Sequence, residues 1–219
     1  MAACIRLLLQ IVALLLIAVA PANAGTNDCA DQGYPAVLCG FLTSFDSYRA
    51  DFEQVVSDEA GEIVEEGSGT LWLQRPGMFR WNYSAPWEQL IVANSTEIWI
   101  YDTELEQATV RPADGAIAQT PAGLLAGNLA ALENYSITAV YDEDDGSRVT
   151  LVPRAGNSDF REIILSFAES RLESLAIQDS FGQHTLIAFE NTQRNPPLSA
   201  DLFSFVLPDG ADLIDQRNN

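Results

Sequence analysis

The sequence predicts a mainly β protein: a curved sheet or barrel of about eleven short strands, with two helical segments left over to cover its opening. Three observations carry this. Strand-like runs are separated by turn signals every ~8–12 residues. Only two stretches, residues 35–47 and 120–132, space their apolar residues as one face of a helix. The strands are also too apolar for a sheet with one face in water, so both faces need covering.

The chain opens MAACIRLLLQIVALLLIAVAPANAGT. Arg6 precedes an apolar run from Ile11 to Ala20, followed by Pro21 and the small triplet Ala22-Asn23-Ala24, which is the order of a secretory signal peptide cut after Ala24. The run is shorter than the ~20 apolar residues of a spanning helix. Neither Cys4 nor Cys29 lies at the cut, so no lipid-attachment cysteine is present there. Residues 25–219 are expected to form one domain. Cys29 and Cys39 are the cysteines that remain, and in an exported protein an even pair points to a disulfide. It would pin the N-terminal segment to the helix that follows. His184 is the single histidine, so neither a metal site nor a cofactor is expected.

Residues 35–47, PAVLCGFLTSFDS, place Val37, Leu38, Phe41, Leu42 and Phe45 on one helical face, with Pro35 suited to a first turn. RADFEQVVSD is rich in β-formers and ends at a turn, Glu59-Ala60-Gly61. Residues 62–75 read as a long strand that Gly67 and Gly69 allow to bend. Arg75-Pro76-Gly77 turns the chain into Met78–Ser84, where Phe79, Trp81 and Tyr83 alternate. Strands follow at Gln89–Ala93, Glu97–Tyr101 and Glu106–Arg111. In TPAGLLAGNLAALENY, Thr120 can cap and Pro121 can start a helix carrying Leu124, Leu125, Leu129 and Leu132. Strands resume at Ser136–Tyr141, Arg148–Pro153, Arg161–Phe167, Leu172–Asp179 and Thr185–Asn191, and the tail FSFVLPDGADLIDQ adds a last extended piece.

Alternation places Leu71, Leu73, Phe79, Trp81, Leu90, Val92, Trp99 and Tyr101 on one side, with Trp72, Ile91 and Ile98 on the other. Such a face either fills a core or lines a cavity for an apolar ligand, and composition leaves both readings open.

Charge and motifs exclude more than they assign. Eleven basic residues, all arginine, stand against 31 acids for a net charge of -20. Phosphate backbones and anionic lipid surfaces attract basic proteins, so nucleic acid and stable membrane insertion are not expected. His184 has no Gly-x-Ser-x-Gly elbow near it, which argues against a hydrolase and against an enzyme generally. Glu65-Glu66 and Glu143-Asp144-Asp145 read as solvated turns and strand edges. DEDDGS lacks the spacing of a calcium loop. A binding protein remains.

Several segments, in order, resemble the LolA family of periplasmic lipoprotein carriers. YRADFEQVVSDEAGEIVEEGSGTLWLQRPGMFRWNYSAPWEQLIV is similar to that family's Phe-x-Gln, Gly-x-Leu and Arg-Pro-x-x-Phe-x-Trp run. EIWIYDTELEQATVRP, TPAGLLAG and FSFVLPDGADLIDQR match its later segments. The resemblance implies an unclosed antiparallel half-barrel under a helical lid, and no enzyme. It implies a soluble, monomeric periplasmic chaperone that takes acylated lipoproteins from an inner-membrane ABC transporter to an outer-membrane lipoprotein acceptor. A periplasmic lipid or lipoprotein sensor of the same fold is the alternative. The resemblance also assigns Arg75 as the latch that holds the lid shut through lid-helix carbonyls, Phe79 to the cavity mouth and Leu42 to the lid. Alternation and helix face add Phe52, Leu71, Trp81, Leu90, Val92, Trp99 and Leu124 to the expected cargo-binding lining.

Overall fold

The computed structural model describes Cys29 and residues 31–113, 121–126, 129–143, 146–156 and 158–217. The expected signal peptide, Thr120 and the acidic pair Asp144-Asp145 lie outside them. Cys29 and Cys39 are joined in a disulfide with Cα atoms 5.7 Å apart. Cys39 belongs to the first helix, α1 (Ala36–Thr43), whose N-cap is Pro35.

Ser47–Ser57 (β1) stands in the middle of one sheet. On one side it pairs with β2 (Ile63–Gln74), and the sheet continues through β3 (Met78–Ala85), β4 (Gln89–Ala93), β5 (Glu97–Asp102) and β6 (Gln107–Pro112). On the other it pairs with β11 (His184–Arg194), beyond which lie β10 (Arg171–Asp179), β9 (Phe160–Ala168), β8 (Gly146–Pro153) and β7 (Tyr135–Glu143). These ladders are antiparallel, which short turns dictate for the strands consecutive in sequence. β6 and β7 are consecutive in sequence yet lie toward opposite ends of the strand order, so the sheet is unclosed. The chain crosses from one to the other through α2 (Pro121–Leu125) and α3 (Leu129–Leu132).

The sheet has twelve strands rather than about eleven, because Asp212–Asp215 (β12) adds to the outer edge of β6. It runs parallel to β6, with Leu213 opposite Ala108 and Asp215 opposite Val110. A tail that returns across the sheet, rather than turning back in a hairpin, meets its neighbour in this sense.

One apolar core joins residues distant in strand order. Ala93 and Ile98 share it with Leu151 and Ile163, and Leu38, Phe41, Leu124 and Leu125 of the helices complete it. Such sharing requires the sheet to curl around its concave face. β2 bends at Gly69, where its register with β3 shifts, and a Cβ there would lie 1.9 Å from the Asn82 carbonyl oxygen. Only glycine permits that approach.

The convex face carries its own smaller apolar patch. Val92 pairs with Trp99, and Trp99 with Val110, while the ring of Phe205 lies 5.0 Å from Trp99 and 5.5 Å from Tyr101. Arg80 Nη1 donates to the Leu202 carbonyl at 3.3 Å in the 3-10 turn Ala200–Phe203. The C-terminal segment therefore covers the outside of β3 to β6, which is why both faces of β4 and β5 are apolar.

Candidate functional site

The concave floor is built by cross-strand pairs, in which partners project to the same side. Ala50 faces Leu71, Leu71 faces Trp81, and Leu73 faces Phe79. The row continues from Trp81 to Ile91 and Ile100, and from Phe79 to Ala93 and Ile98. On the far side Phe52 faces Phe189, and Ile187 faces Leu175, which faces Leu165. Leu71, Leu73, Leu165 and Leu175 are fully buried although no layer of sheet lies above them.

What lies above is the lid. Phe41 of α1 points into the concavity, its ring 5.2 Å from Phe45, 5.9 Å from Tyr48 and 5.7 Å from Phe167 of β9. Leu42 beside it is buried, as are Leu124 and Leu125 of α2. α1 joins β1 through Ser44, Phe45 and Asp46, and this joint is held. The Asp46 carbonyl accepts from the Arg75 backbone N–H at 2.8 Å, and the Asp46 N–H donates to Asn195 Oδ1 at 2.9 Å. α2 is tied to the β2–β3 turn by the Gly77 N–H, which donates to the Ala126 carbonyl.

Arg75 sits between these parts. Its Nη1 donates to the Phe45 carbonyl at 2.8 Å, and the guanidinium lies 3.9 Å above the Phe45 ring. The acceptor belongs to the joint just after α1, not to the helix itself. Nε and Nη2 are buried with no partner among the described residues. Burial pulls the guanidinium down to about 10, only partly offset by the nearby Asp46 carboxylate.

The end of the sheet remote from α1 is open. A groove of about 610 Å³ lies there, lined among others by Gln54, Val64, Glu65, Gly67 and Trp87. Trp87 and Val64 are exposed at its edge, 61% and 54% respectively. Next to it, Tyr83 donates to Gln54 Oε1 at 2.9 Å, and burial pushes the Tyr83 hydroxyl up to about 12, with Glu65 adding to the shift.

Phe52, Leu71, Phe79 and Trp81 thus stand on the concave floor, with Leu42 and Leu124 in the lid over it. Leu90, Val92 and Trp99 do not join them. Leu90 faces Asn82 and Val92 faces Arg80, on the convex side, with Trp99 and Tyr101 opposite them on β5. Ile91 and Ile98, expected outside, are inside. The turn between β3 and β4 sets Tyr83 against Gln89, and that parity reverses the face assumed for every residue of β4 and β5. His184 is exposed at the start of β11 and its ring contacts Gln178 Nε2 at 3.5 Å.

The family model described as "Outer membrane lipoprotein carrier protein LolA" matches residues 43–206. The chain belongs to the LolA family. An outer-membrane lipoprotein carrier protein of Methylobacillus flagellatus is 42% identical over 177 residues, 81% of this chain and 86% of that one. Its counterpart from Chromohalobacter salexigens is 40% identical over 186 residues, 84% of this chain and 88% of that one. A crystal structure of an uncharacterized conserved protein from Thermus thermophilus superposes with a TM-score of 0.52 at 14% identity. It covers 85% of this chain and 99% of its own, a likeness of fold.

Within this LolA-family cavity, sequence reading missed Ile100, Tyr48 and the whole wall from Leu165 to Phe189, where short apolar strands gave no cue to which side faced the helices. It also missed Arg111, which stands on β6 opposite Ile98 and has a buried Nε with no partner among the described residues.

Proposed function

We propose that this LolA-family chain is a periplasmic chaperone that binds the acyl chains of lipoproteins and carries them toward the outer membrane. The observation that carries the reading is a predominantly apolar concave face, in a sheet that never closes, covered by short helices rather than by another layer. Each methylene moved out of water contributes about 0.8 kcal/mol, so part of one acyl chain suffices for tight binding. Release then needs a competitor, and the lid is one: closing α1 and α2 buries the same surface the cargo would use. Cargo affinity falls by the free energy of opening. The chain is a carrier and not an enzyme.

In this reading Arg75 is the latch, through Phe45 at the α1–β1 joint, and Leu42, Phe52, Leu71, Phe79, Trp81 and Leu124 touch cargo. Ile91, Ile98 and Ile100 take the places expected of Leu90, Val92 and Trp99. Residues 1–24 direct export and are removed, leaving one soluble, monomeric domain. An inner-membrane ABC transporter supplies the cargo and an outer-membrane lipoprotein accepts it.

The test mixes the mature protein with energised inner-membrane vesicles holding the cognate transporter and an acylated outer-membrane lipoprotein. Lipoprotein should appear in the soluble fraction as a one-to-one complex. Its retention in the vesicles would refute the reading. The mass of the exported protein checks the cut after Ala24.

A further inference from the structure

Hydrogen-bonding groups are rare on the concave face, and three of them form a line. Gln54 of β1 and Tyr83 of β3 both project inward, joined by the 2.9 Å bond from the tyrosine hydroxyl to Gln54 Oε1. With its oxygen so engaged, the Gln54 amide nitrogen keeps its donors for another acceptor. Trp81 comes next along β3. It is 5% exposed, and its Nε1 is buried with no partner among the described residues. The indole cannot swing to find one, because its ring packs edge-on against Phe52 at 5.3 Å and stacks on Tyr83 at 6.4 Å.

A buried N–H without an acceptor is unfavourable, and the penalty is relieved when an acceptor arrives. Hydrocarbon cannot supply one. The oxygen of an ester or amide carbonyl at the head of an acyl chain can, and it needs no donor in return. The position suits such a group. The open groove is lined by Gln54, and along β3 Trp81 stands between Tyr83, which bonds Gln54, and Phe79 of the deep floor. Methylenes running inward would leave the carbonyls beside this line.

We propose that Trp81 Nε1, with the Gln54 amide farther along the same line, binds the carbonyl oxygens of ester- or amide-linked acyl chains, so the cavity selects acylated cargo over ether-linked or plain hydrocarbon chains. The proposal rests on the carrier reading above and names the polar part of its substrate. No bond is made or broken.

The test uses two synthetic probes, a cysteinyl peptide bearing a diacylglyceryl thioether and its dialkyl ether counterpart of equal chain length. The wild-type mature protein should bind the ester probe about fivefold more tightly than the ether, one buried hydrogen bond's worth. Trp81→Phe, which keeps an aromatic ring there and loses the N–H, should erase the roughly fivefold preference for the ester probe over the ether. With a ¹³C-labelled ester carbonyl, the infrared band of the bound probe should lie lower in the wild type than in the variant. Equal weakening of both probes, or an unshifted carbonyl band, would make Trp81 a packing residue and overturn the proposal while the carrier reading stands. Equal wild-type affinity for the two probes would overturn it without any variant. If the wild type takes up neither probe, the carrier reading fails and this proposal with it.

Discussion

If the lid competes with cargo, weakening its grip should strengthen binding, and Phe41 is the side chain through which to test this. The ring is fully buried between Phe45, Tyr48 and Phe167, and it reaches the sheet only when α1 is closed. Phe41→Leu removes the equivalent of two to three methylenes, about 2 kcal/mol at 0.8 kcal/mol each, and gives up its edge-on contacts as well. In the open state Phe41 faces solvent, so nearly all of that loss falls on the closed state. Opening becomes easier by about 2 kcal/mol, and apparent affinity for a diacylated peptide should rise about thirtyfold. Titration of a fluorescent lipopeptide against both proteins reads this directly. Phe203→Leu is the control: it is similarly buried, at 4% exposure, but lies outside the concave core. It should lower thermal stability without changing affinity. If Phe41→Leu destabilises the fold and leaves affinity unchanged or weaker, the lid does not compete with cargo and the argument for release fails.

Other expectations follow from single features. Gly69→Ala puts a methyl on the Asn82 carbonyl and should cost more than about 2 kcal/mol by urea unfolding, whereas Gly67→Ala, which meets nothing nearer than the Tyr83 ring at 3.3 Å, should cost less. Replacing Cys29 and Cys39 by Ser opens a loop of sequence separation 10, worth about 3 kcal/mol in the chain-entropy view. Faster hydrogen exchange should appear in α1 and not in β8 to β10; uniform acceleration would contradict a local role. A photo-crosslinking residue at Ile91 should label a bound acyl chain and one at Val92 should not, which checks the register of β4. Arg217 ties β12 to β5 through Asp215 and Glu97, and its hydrogen bonds hold the Asp215 carboxyl down at about 2 and lower Glu97 too. Because these folded values lie below the unfolded ones, the contribution is complete above the ordinary carboxylate range and is lost on acidification, that of Asp215 as pH falls through about 2. Protection of the β12 amides relative to their intrinsic exchange should fall over that interval, and in Arg217→Ala it should be low already at pH values near neutrality.

Most strands were legible because turns punctuate them: Arg75-Pro76-Gly77 and Asn94-Ser95-Thr96 each fall between observed strands. The stripe of Leu38, Phe41 and Leu42 marked α1 and its buried face. What could not be read was parity. A strand apolar on both sides does not say which side is inward, and in β4 and β5 the second apolar side exists because a segment more than a hundred residues later folds over it. Phe205 on Trp99 is a contact no local pattern predicts. β12 was legible only as an extended piece, since all four of its residues are exposed and no buried face marks its alternation. The unpartnered indole N–H of Trp81 is likewise invisible in a sequence, where a tryptophan beside phenylalanine and tyrosine reads only as core.

The path from β6 to β7 has a mechanical consequence. The two strands share no hydrogen bonds, and the chain that links them is the chain that carries α2 and α3. The helices over the concavity are therefore also a strap between the two flanks of the sheet. Pulling the strap outward would load both flanks at once, because each flank is joined to one of its ends.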